Sequence, residues 1–353
     1  MGDIYFEENY GRLYEEIENG IHEVFEFRHD LGTVRHLFIK RPIPKQIDGE
    51  IYYDLVSPYG YGGPLISNCR PGSKNELAAL FKASFQQYCT VNNVVSEFIR
   101  FHPVMANAEH FKECYDVVHI RNTVGTNLEG YDDPVASEFS KSARKNIRQA
   151  LRAGVEFRVT VNPDNVKDFK EIYYSTMKRN QADSYYYFDD GYFNKLVQYF
   201  HEHILLVEVI YEGRVIGMGL NFIYGDLIHT HLSGTLENFH HLSPAYILQY
   251  ALAIWGKENG IRLIHEGGGR SNSLDDSLYL FKKQFGRNTD FKFHIGRKIW
   301  NEEIYQVLCK IAGVEESAEF FPAYRTKLLK RIQYSLKQHS LIDSKITFLR
   351  RAE

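Results

Sequence analysis

The sequence predicts a mixed α/β protein (α+β) of two related halves, each a mixed sheet flanked by helices. Three observations carry this. The chain has 353 residues, more than one ordinary core needs and enough for two domains. An order of hairpin, strand, Gly/Pro-rich loop, helix and strand occurs twice. The second half also contains a three-strand meander whose turns, Glu212-Gly213 and Gly225-Asp226, are strong hairpin signals.

In the first half, Val24–Phe27 and Arg35–Ile39 pair around Asp30-Leu31-Gly32, and Ile51–Val56 is a third strand. That strand runs into Ser57-Pro58-Tyr59-Gly60-Tyr61-Gly62-Gly63-Pro64. Ser73 and Glu76 have capping-box spacing and open a helix with Leu77, Leu80, Phe81 and Phe85 on one face. Strands at Val95–Phe101 and Val117–Arg121 follow. A helix from Ser137 to Ala153 ends at Gly154, a good residue just past a helix end. After a strand at Val155–Val161, Asn162-Pro163 is expected to start a helix, and Gly191–His203 forms another. The meander spans Leu205–Tyr211, Arg214–Tyr224 and Leu227–Ser233. Ser243-Pro244 caps a long helix ending at Asn259-Gly260, and a strand at Arg262–His265 leads into Glu266-Gly267-Gly268-Gly269. A helix from Asp275 to Gln284, a strand at Asp290–Ile295 and two closing helices complete the chain. The expected division is 1–134 and 135–353.

Hydrophobic residues at 44% and charged residues at 25% describe a folded globular chain rather than a disordered one. The longest apolar runs, such as Ile204–Ile210, fall far short of the roughly 20 residues that span a bilayer. The start of the chain, rich in Glu and Tyr, shows no signal-peptide pattern. Four scattered cysteines, Cys69, Cys89, Cys114 and Cys309, form no short pair, which argues against a disulfide framework or a structural zinc. Both facts lead to the expectation of a cytoplasmic protein. A net charge of −3 excludes general nucleic-acid affinity of the whole surface. Basic residues nevertheless gather at Lys141, Arg144, Lys145, Arg148 and Arg152, and again at Arg325, Lys327, Lys330, Arg331 and Lys337. Either group could steer phosphates or be a solvated face.

Four segments taken in order carry a resemblance: Asp54 to Pro64; Ser140-Lys141-Ser142-Ala143-Arg144-Lys145-Asn146-Ile147-Arg148-Gln149-Ala150; Pro244-Ala245-Tyr246 through Trp255 with Asn259-Gly260 and the glycine run; and Leu280-Phe281-Lys282-Lys283-Gln284-Phe285-Gly286. Across roughly residues 50 to 290 the chain resembles the Fem family of peptidoglycan aminoacyl transferases. That resemblance implies two tandem GNAT-like domains, the second catalytic. It also implies transfer of an activated acyl or aminoacyl group to an amine or hydroxyl of a polar acceptor. In Fem-type enzymes the donor is an aminoacyl-tRNA and the acceptor is the peptide stem of a cell-wall precursor. The long Lys/Glu-rich hairpin of some members and a tryptophan-bearing acceptor motif in the first domain are missing from this sequence. An acyl-CoA-dependent N-acyltransferase of the same fold, or a non-catalytic polysaccharide or peptide binder, are the alternatives.

The family's Phe-Lys-x-x-Phe-Gly pattern puts Lys282 at the reaction centre, where a fixed ammonium stabilises a developing oxyanion, and Phe281 on the wall that excludes water. Without the resemblance, Lys282 reads first as a surface lysine on a short amphipathic helix beside Lys283. Gly267, Gly268 and Gly269 offer bare backbone to an anion or acyl group, or make a plain turn; their spacing is not a dinucleotide fingerprint. His265 and Glu266 are acid/base candidates. Tyr59 and Tyr61, with Gly62, could stack on or hydrogen-bond an acceptor, or line a domain interface. Arg179, Tyr187 and Tyr246 are further acceptor contacts, and Lys141, Arg144, Lys145 and Arg148 are the expected contacts to donor phosphates. The loop Gly234–Ser243 lacks the pyrophosphate-binding signature of acetyl-CoA enzymes, so no cofactor is expected. His229 and His231 share a strand face, with His240, His241 and His265 nearby in sequence. No acidic or cysteine partner completes a recognisable spacing, so no metal is expected.

Overall fold

A computed structural model describes residues 2–326. In chain order its elements are α1 (Glu8–Glu18), β1 (Ile21–His29), β2 (Gly32–Pro42), β3 (Tyr53–Val56), β4 (Leu65–Ser67), α2 (Lys74–Val91), β5 (Val94–Arg100), β6 (Asp116–Asn127), α3 (Pro134–Glu138), α4 (Lys141–Arg152) and β7 (Glu156–Val161). Then come α5 (Lys167–Arg179), α6 (Asp190–Phe200), β8 (Ile204–Tyr211), β9 (Arg214–Tyr224), β10 (Leu227–Thr235), α7 (Pro244–Glu258), β11 (Leu263–Gly267), α8 (Ser277–Lys283), β12 (Asp290–Ile299) and α9 (Glu302–Ala312).

The strands form one mixed sheet in the order β1-β2-β3-β5-β12-β6-β11-β10-β9-β8-β7, with β4 beside β2. Two pairs are parallel, β3 with β5 and β10 with β11; each is joined by a crossover helix, α2 and α7 respectively. The strand after each parallel pair crosses over. β6 follows β5 in sequence yet pairs with β11, and β12 follows β11 yet pairs with β5 and with β6. The two halves are thus sewn together along the middle of the sheet.

The meander is as read. Glu212 and Gly213 both adopt positive φ, +49° and +73°, the geometry that lets a two-residue turn follow strand twist. α2 lays Leu77, Phe81 and Phe85 against Val34, Phe38 and Val94. α7 lays Ile247, Leu248, Ala251 and Leu252 beside Ala143, Ile147 and Ala150 of α4. Each fully buried aliphatic side chain of this kind contributes roughly 1.5–3 kcal/mol. A third cluster, dominated by Tyr10, Tyr14, Tyr173, Phe188 and Tyr192, packs α1, α5 and α6 together.

Several local expectations are corrected. Ser73 precedes α2 but makes no side-chain cap bond, because its φ and ψ of −97° and 9° turn the hydroxyl away from the extended capping geometry. Asn162-Pro163 does not open a helix. Asn162, at φ +54°, donates its N–H to Ile204 O as the chain leaves β7, and α5 begins at Lys167. Ser243 sits at φ +53° without a capping bond, although Pro244 does occupy the first turn of α7. The expected helix at 137–153 is two helices broken at Phe139 and Ser140. The second closing helix, and Lys327, Lys330, Arg331 and Lys337, lie outside the described residues. Arg325 hydrogen-bonds Asp54 and the Pro42 carbonyl.

Candidate active site

The site begins at the end of β11. There the β11–β6 register shifts between His265 and Gly267, so Glu266 occupies a bulge. Bulges re-aim side chains and are over-represented beside active sites. Gly267 follows at φ +76°, a conformation that favours glycine. A Cβ there would lie 3.3 Å from Lys282 Nζ and 3.5 Å from Tyr61 Oη. The missing side chain therefore leaves a gap flanked by two hydrogen-bond donors, one from each half of the chain.

Lys282 is brought there by α8. Asp276 caps that helix, its Oδ1 accepting from the N–H groups of Leu278 and Tyr279 at 3.0 and 2.9 Å. Its Oδ2 accepts from Arg270 N, Ser271 N and Ser271 Oγ. Although desolvation opposes ionisation, these bonds hold the carboxyl down at about 2. The glycine-run loop is thereby wound onto the start of α8. At the other end, Phe285 is fully buried, and Gly286 passes so close to Gly125 that a Cβ would stand 2.0 Å from its carbonyl oxygen. Only glycine fits there, which accounts physically for the Phe-Gly of the segment. Held at both ends, α8 directs Lys282 Nζ to Gly268 O at 3.0 Å. Arg121 of β6 donates to Gly269 O alongside. Burial pushes the Lys282 amine below the ordinary lysine range and the Glu266 carboxyl above the ordinary glutamate range, with their mutual attraction working against both shifts.

Tyr61 packs edge-on or tilted against Tyr5, His102, His265 and Phe293 with ring centroids 5.2–5.6 Å away, and burial raises its phenol above the usual value. Gly62 fixes the loop, donating its N–H to Arg100 O at 2.7 Å and accepting from Asn107 at 2.9 Å. Tyr59 faces Tyr14, Tyr185, Tyr186 and His231; burial pushes its phenol up to about 12.

The remaining expected site residues lie elsewhere. Phe281 is on the core side of α8, its ring 5.3 Å from Tyr246 and 5.1 Å from Phe285. Tyr246 shares a hydrogen bond with Gln284. Arg179 donates to Thr235 O at 2.9 Å, five residues along β10, or roughly 17 Å, from Thr230, whose hydroxyl donates to Glu266 O at 3.1 Å. Tyr187 rests on Tyr174. Lys141, Lys145 and Arg148 are exposed along α4, while Arg144 folds back onto Ala136 O. α4 starts against the end of α8, its Ser140 N–H donating to Gln284 O at 2.7 Å.

Sequence reasoning missed Asp3, His102, Arg121, Thr126 and Asp276. Asp3 is fully buried: its Oδ2 takes a bond from His229 Nε2 at 2.8 Å and lies 3.4 Å from His102 Nε2. His229 Nδ1 in turn meets His265 Nδ1 at 3.3 Å, and His265 Nε2 meets Thr123 Oγ1 at 2.9 Å. The acidic partner absent from the local spacing thus comes from the first turn of the chain. Asp3, His102 and His229 are close enough to hold a metal ion. However, His102 Nδ1 accepts the Met105 N–H at 3.1 Å, which in the neutral ring puts the proton on Nε2, the nitrogen that faces Asp3, and leaves no lone pair there for a metal. Burial opposes ionisation of Asp3, but attraction to His229 and His102 wins and holds its carboxyl well below the usual range.

Known proteins resemble this chain in part of its sequence and in its fold. An acetyltransferase (GNAT) domain family matches residues 137–273. The UDP-N-acetylmuramoylpentapeptide-lysine N(6)-alanyltransferase of Weissella viridescens is 25% identical over 175 residues, 49% of this chain and 51% of that protein, so the chain spans about half the length of the curated relative it matches. The crystal structure of FemX superposes with a TM-score of 0.67 at 15% identity, covering 87% of this chain and 94% of that one. A conserved protein of unknown function from Bacteroides thetaiotaomicron gives 0.51 at 9% identity over 83% of this chain and 90% of its own. At such identities the superpositions speak for the fold alone. Among the described residues no helix is long and apolar enough to cross a membrane. Sequence match and fold point the same way: residues 137–273 carry a GNAT acetyltransferase domain, and the whole chain shares the fold of FemX and is similar in part to a Fem-type alanyltransferase.

Proposed function

We propose that this protein is an aminoacyl- or acyltransferase that passes an activated group to the amine of a cell-wall precursor or a similar peptide- or sugar-like acceptor. One observation carries the reading: Lys282 Nζ and Tyr61 Oη flank the same gap over Gly267. In the reaction the acceptor amine attacks the ester carbonyl of the donor. A C–N bond forms, the ester C–O bond breaks, and the proton lost by the amine ends on the departing hydroxyl. Charge on the carbonyl oxygen rises in between, and an ammonium and a phenol in a half-dry gap stabilise it. No protein nucleophile is required, because the donor is already activated and the protein supplies position.

In this reading the chain works in the cytoplasm as two domains, 1–134 and 135–353, with the acceptor in the cleft between them. Tyr59, Tyr61 and Gly62 face the acceptor; Arg179, Tyr187 and Tyr246 are more remote contacts, and Phe281 shapes the wall behind Lys282. The exposed basic face of α4, which starts at the end of α8, suits the phosphates of an aminoacyl-tRNA donor. The Weissella relative names alanyl transfer to a lysine of a UDP-muramoyl pentapeptide, and we take that pair as the first substrates to try. The test is incubation with labelled alanyl-tRNA and UDP-N-acetylmuramoylpentapeptide, in parallel with acetyl-CoA in place of the tRNA. Label transferred from tRNA supports the reading. Transfer from acetyl-CoA alone, with saturable binding of it in calorimetry, replaces it with an acyl-CoA N-acyltransferase.

A further inference from the structure

Glu266 has no part in the chemistry above, yet its surroundings are unusual. Its side chain is 1% exposed. Oε1 receives one long bond, 3.3 Å from Thr126 Oγ1, whose proton has a nearer acceptor in Phe285 O at 2.9 Å. Oε2 meets full hydrogen-bond geometry with none of the described residues, although Gln249 and Thr230 lie near enough to favour its charged form. Across Gly267, the Lys282 amine makes a hydrogen bond to Gly268 O and keeps further N–H capacity. An acid at the bulge and an amine lying over the next residue, Gly267, thus lie near each other without closing into an ion pair among the described residues. Burying such groups unpaired is costly. Sites that persist in that state are better explained by use than by stability.

We propose that Glu266 is a positioning residue for Lys282: its carboxylate holds the neighbouring amine in the charged form and draws it to the gap over Gly267. The other charged and titratable groups facing Lys282 divide. Arg121 from β6 works against its charge, and Asp276 from the start of α8 works for it. His265 is held neutral by burial, and burial keeps the Tyr61 phenol protonated. Burial itself favours the neutral amine, so without Glu266 the balance tips toward loss of the proton. A neutral Lys282 is a poor partner for an oxyanion. The functional consequence rests on the proposed transfer reaction; the electrostatic claim does not.

The experiment separates the two. Folded wild type, Glu266→Gln and Glu266→Asp are pulsed near neutral pH with N-succinimidyl acetate, which acylates only neutral amines, and labelling is read by peptide mass spectrometry. Lys282 in Glu266→Gln should label faster by about tenfold, the effect of one pKa unit. Glu266→Asp should fall in between, and Lys283, paired with Asp290, should not change. Unchanged Lys282 labelling in whichever variant melts like wild type overturns the proposal. In the transfer assay, Glu266→Gln should move the alkaline limb of the rate profile to lower pH with little change in KM. If Lys282→Ala transfers as fast as wild type, the transfer reading fails while the labelling result stands.

Discussion

Glu97 and Glu266 occupy comparable places in the two halves. Each lies on the second strand of a parallel pair, β5 beside β3 and β11 beside β10, that a crossover helix joins, and each is 1% exposed. Their partners differ. Glu97 accepts from His36 Nε2 on one oxygen and from Trp300 Nε1 at 3.0 Å on the other, so both oxygens are occupied. Glu266 has a weak bond on one oxygen, and among the described residues nothing meets full hydrogen-bond geometry at the other, with Gln249 and Thr230 only nearby. The first half uses its buried acid to close the core. The second leaves its acid open beside a lysine. Burial alone therefore does not distinguish a structural carboxylate from a functional one; completeness of its hydrogen bonds does.

The sharpest way to test that contrast is Lys282→Ala. Loss of one oxyanion donor should lower the transfer rate on the order of 100-fold or more, while thermal stability holds or rises because a desolvated amine is removed. Lys282→Arg should not restore the rate, since a broad guanidinium does not replace a compact charge. Next in size is Glu97→Gln, which disturbs a satisfied network and should cost about 1–3 kcal/mol in chemical denaturation without touching Lys282. Comparable loss of stability in Glu266→Gln would break the comparison.

Acid titration comes third. The folded Asp3 carboxyl is depressed by His229 and His102, so its contribution to stability is present above the unfolded carboxyl value and is lost as pH falls below it. Asp3→Asn should lower the melting temperature at neutral pH and flatten its decline in acid. The opposite sign applies to Glu266, whose folded carboxyl is raised: it costs stability as pH rises above its unfolded value. Glu266→Gln should therefore be no less stable than wild type at neutral pH, by differential scanning calorimetry. Smallest of all is Lys283→Ala. It removes a partly exposed pair with Asp290, should change stability by about 0–1 kcal/mol, and should leave transfer near wild type.

Much of the scaffold was legible because local chemistry dictated it. The turns at Glu212-Gly213 and Gly225-Asp226 set the meander, and the apolar face of Leu77, Phe81 and Phe85 set α2. α1 was not assigned from sequence: it packs Tyr10 and Tyr14 against α6 residues nearly 180 positions away, and Tyr14 meets Tyr192 only in the fold. At the site, Lys282 and the glycine run came from the resemblance, and Tyr61 from its glycine-rich loop. Their convergence on one gap depended on the bulge at Glu266 and the cap at Asp276. Asp3 was invisible because its partner His229 lies 226 residues downstream. The side-chain caps expected at Ser73 and Ser243 fail because backbone angles, not residue type, decide whether a hydroxyl reaches a free N–H.

The exchange of β6 and β12 has a consequence for biosynthesis. As the chain emerges from the ribosome, β5 waits for a neighbour that lies almost 200 residues later, and β6 pairs with β11 only after α7 has been made. Pairings of such long sequence separation form slowly and leave strand edges bare in the meantime. A fragment ending before α3 would carry β6 with neither of its partners, β11 and β12, and the complementary fragment would carry β12 without β5 or β6. Expressed singly, each should aggregate; expressed together, they should reassemble into a soluble heterodimer, since the missing edge of one is the surplus strand of the other.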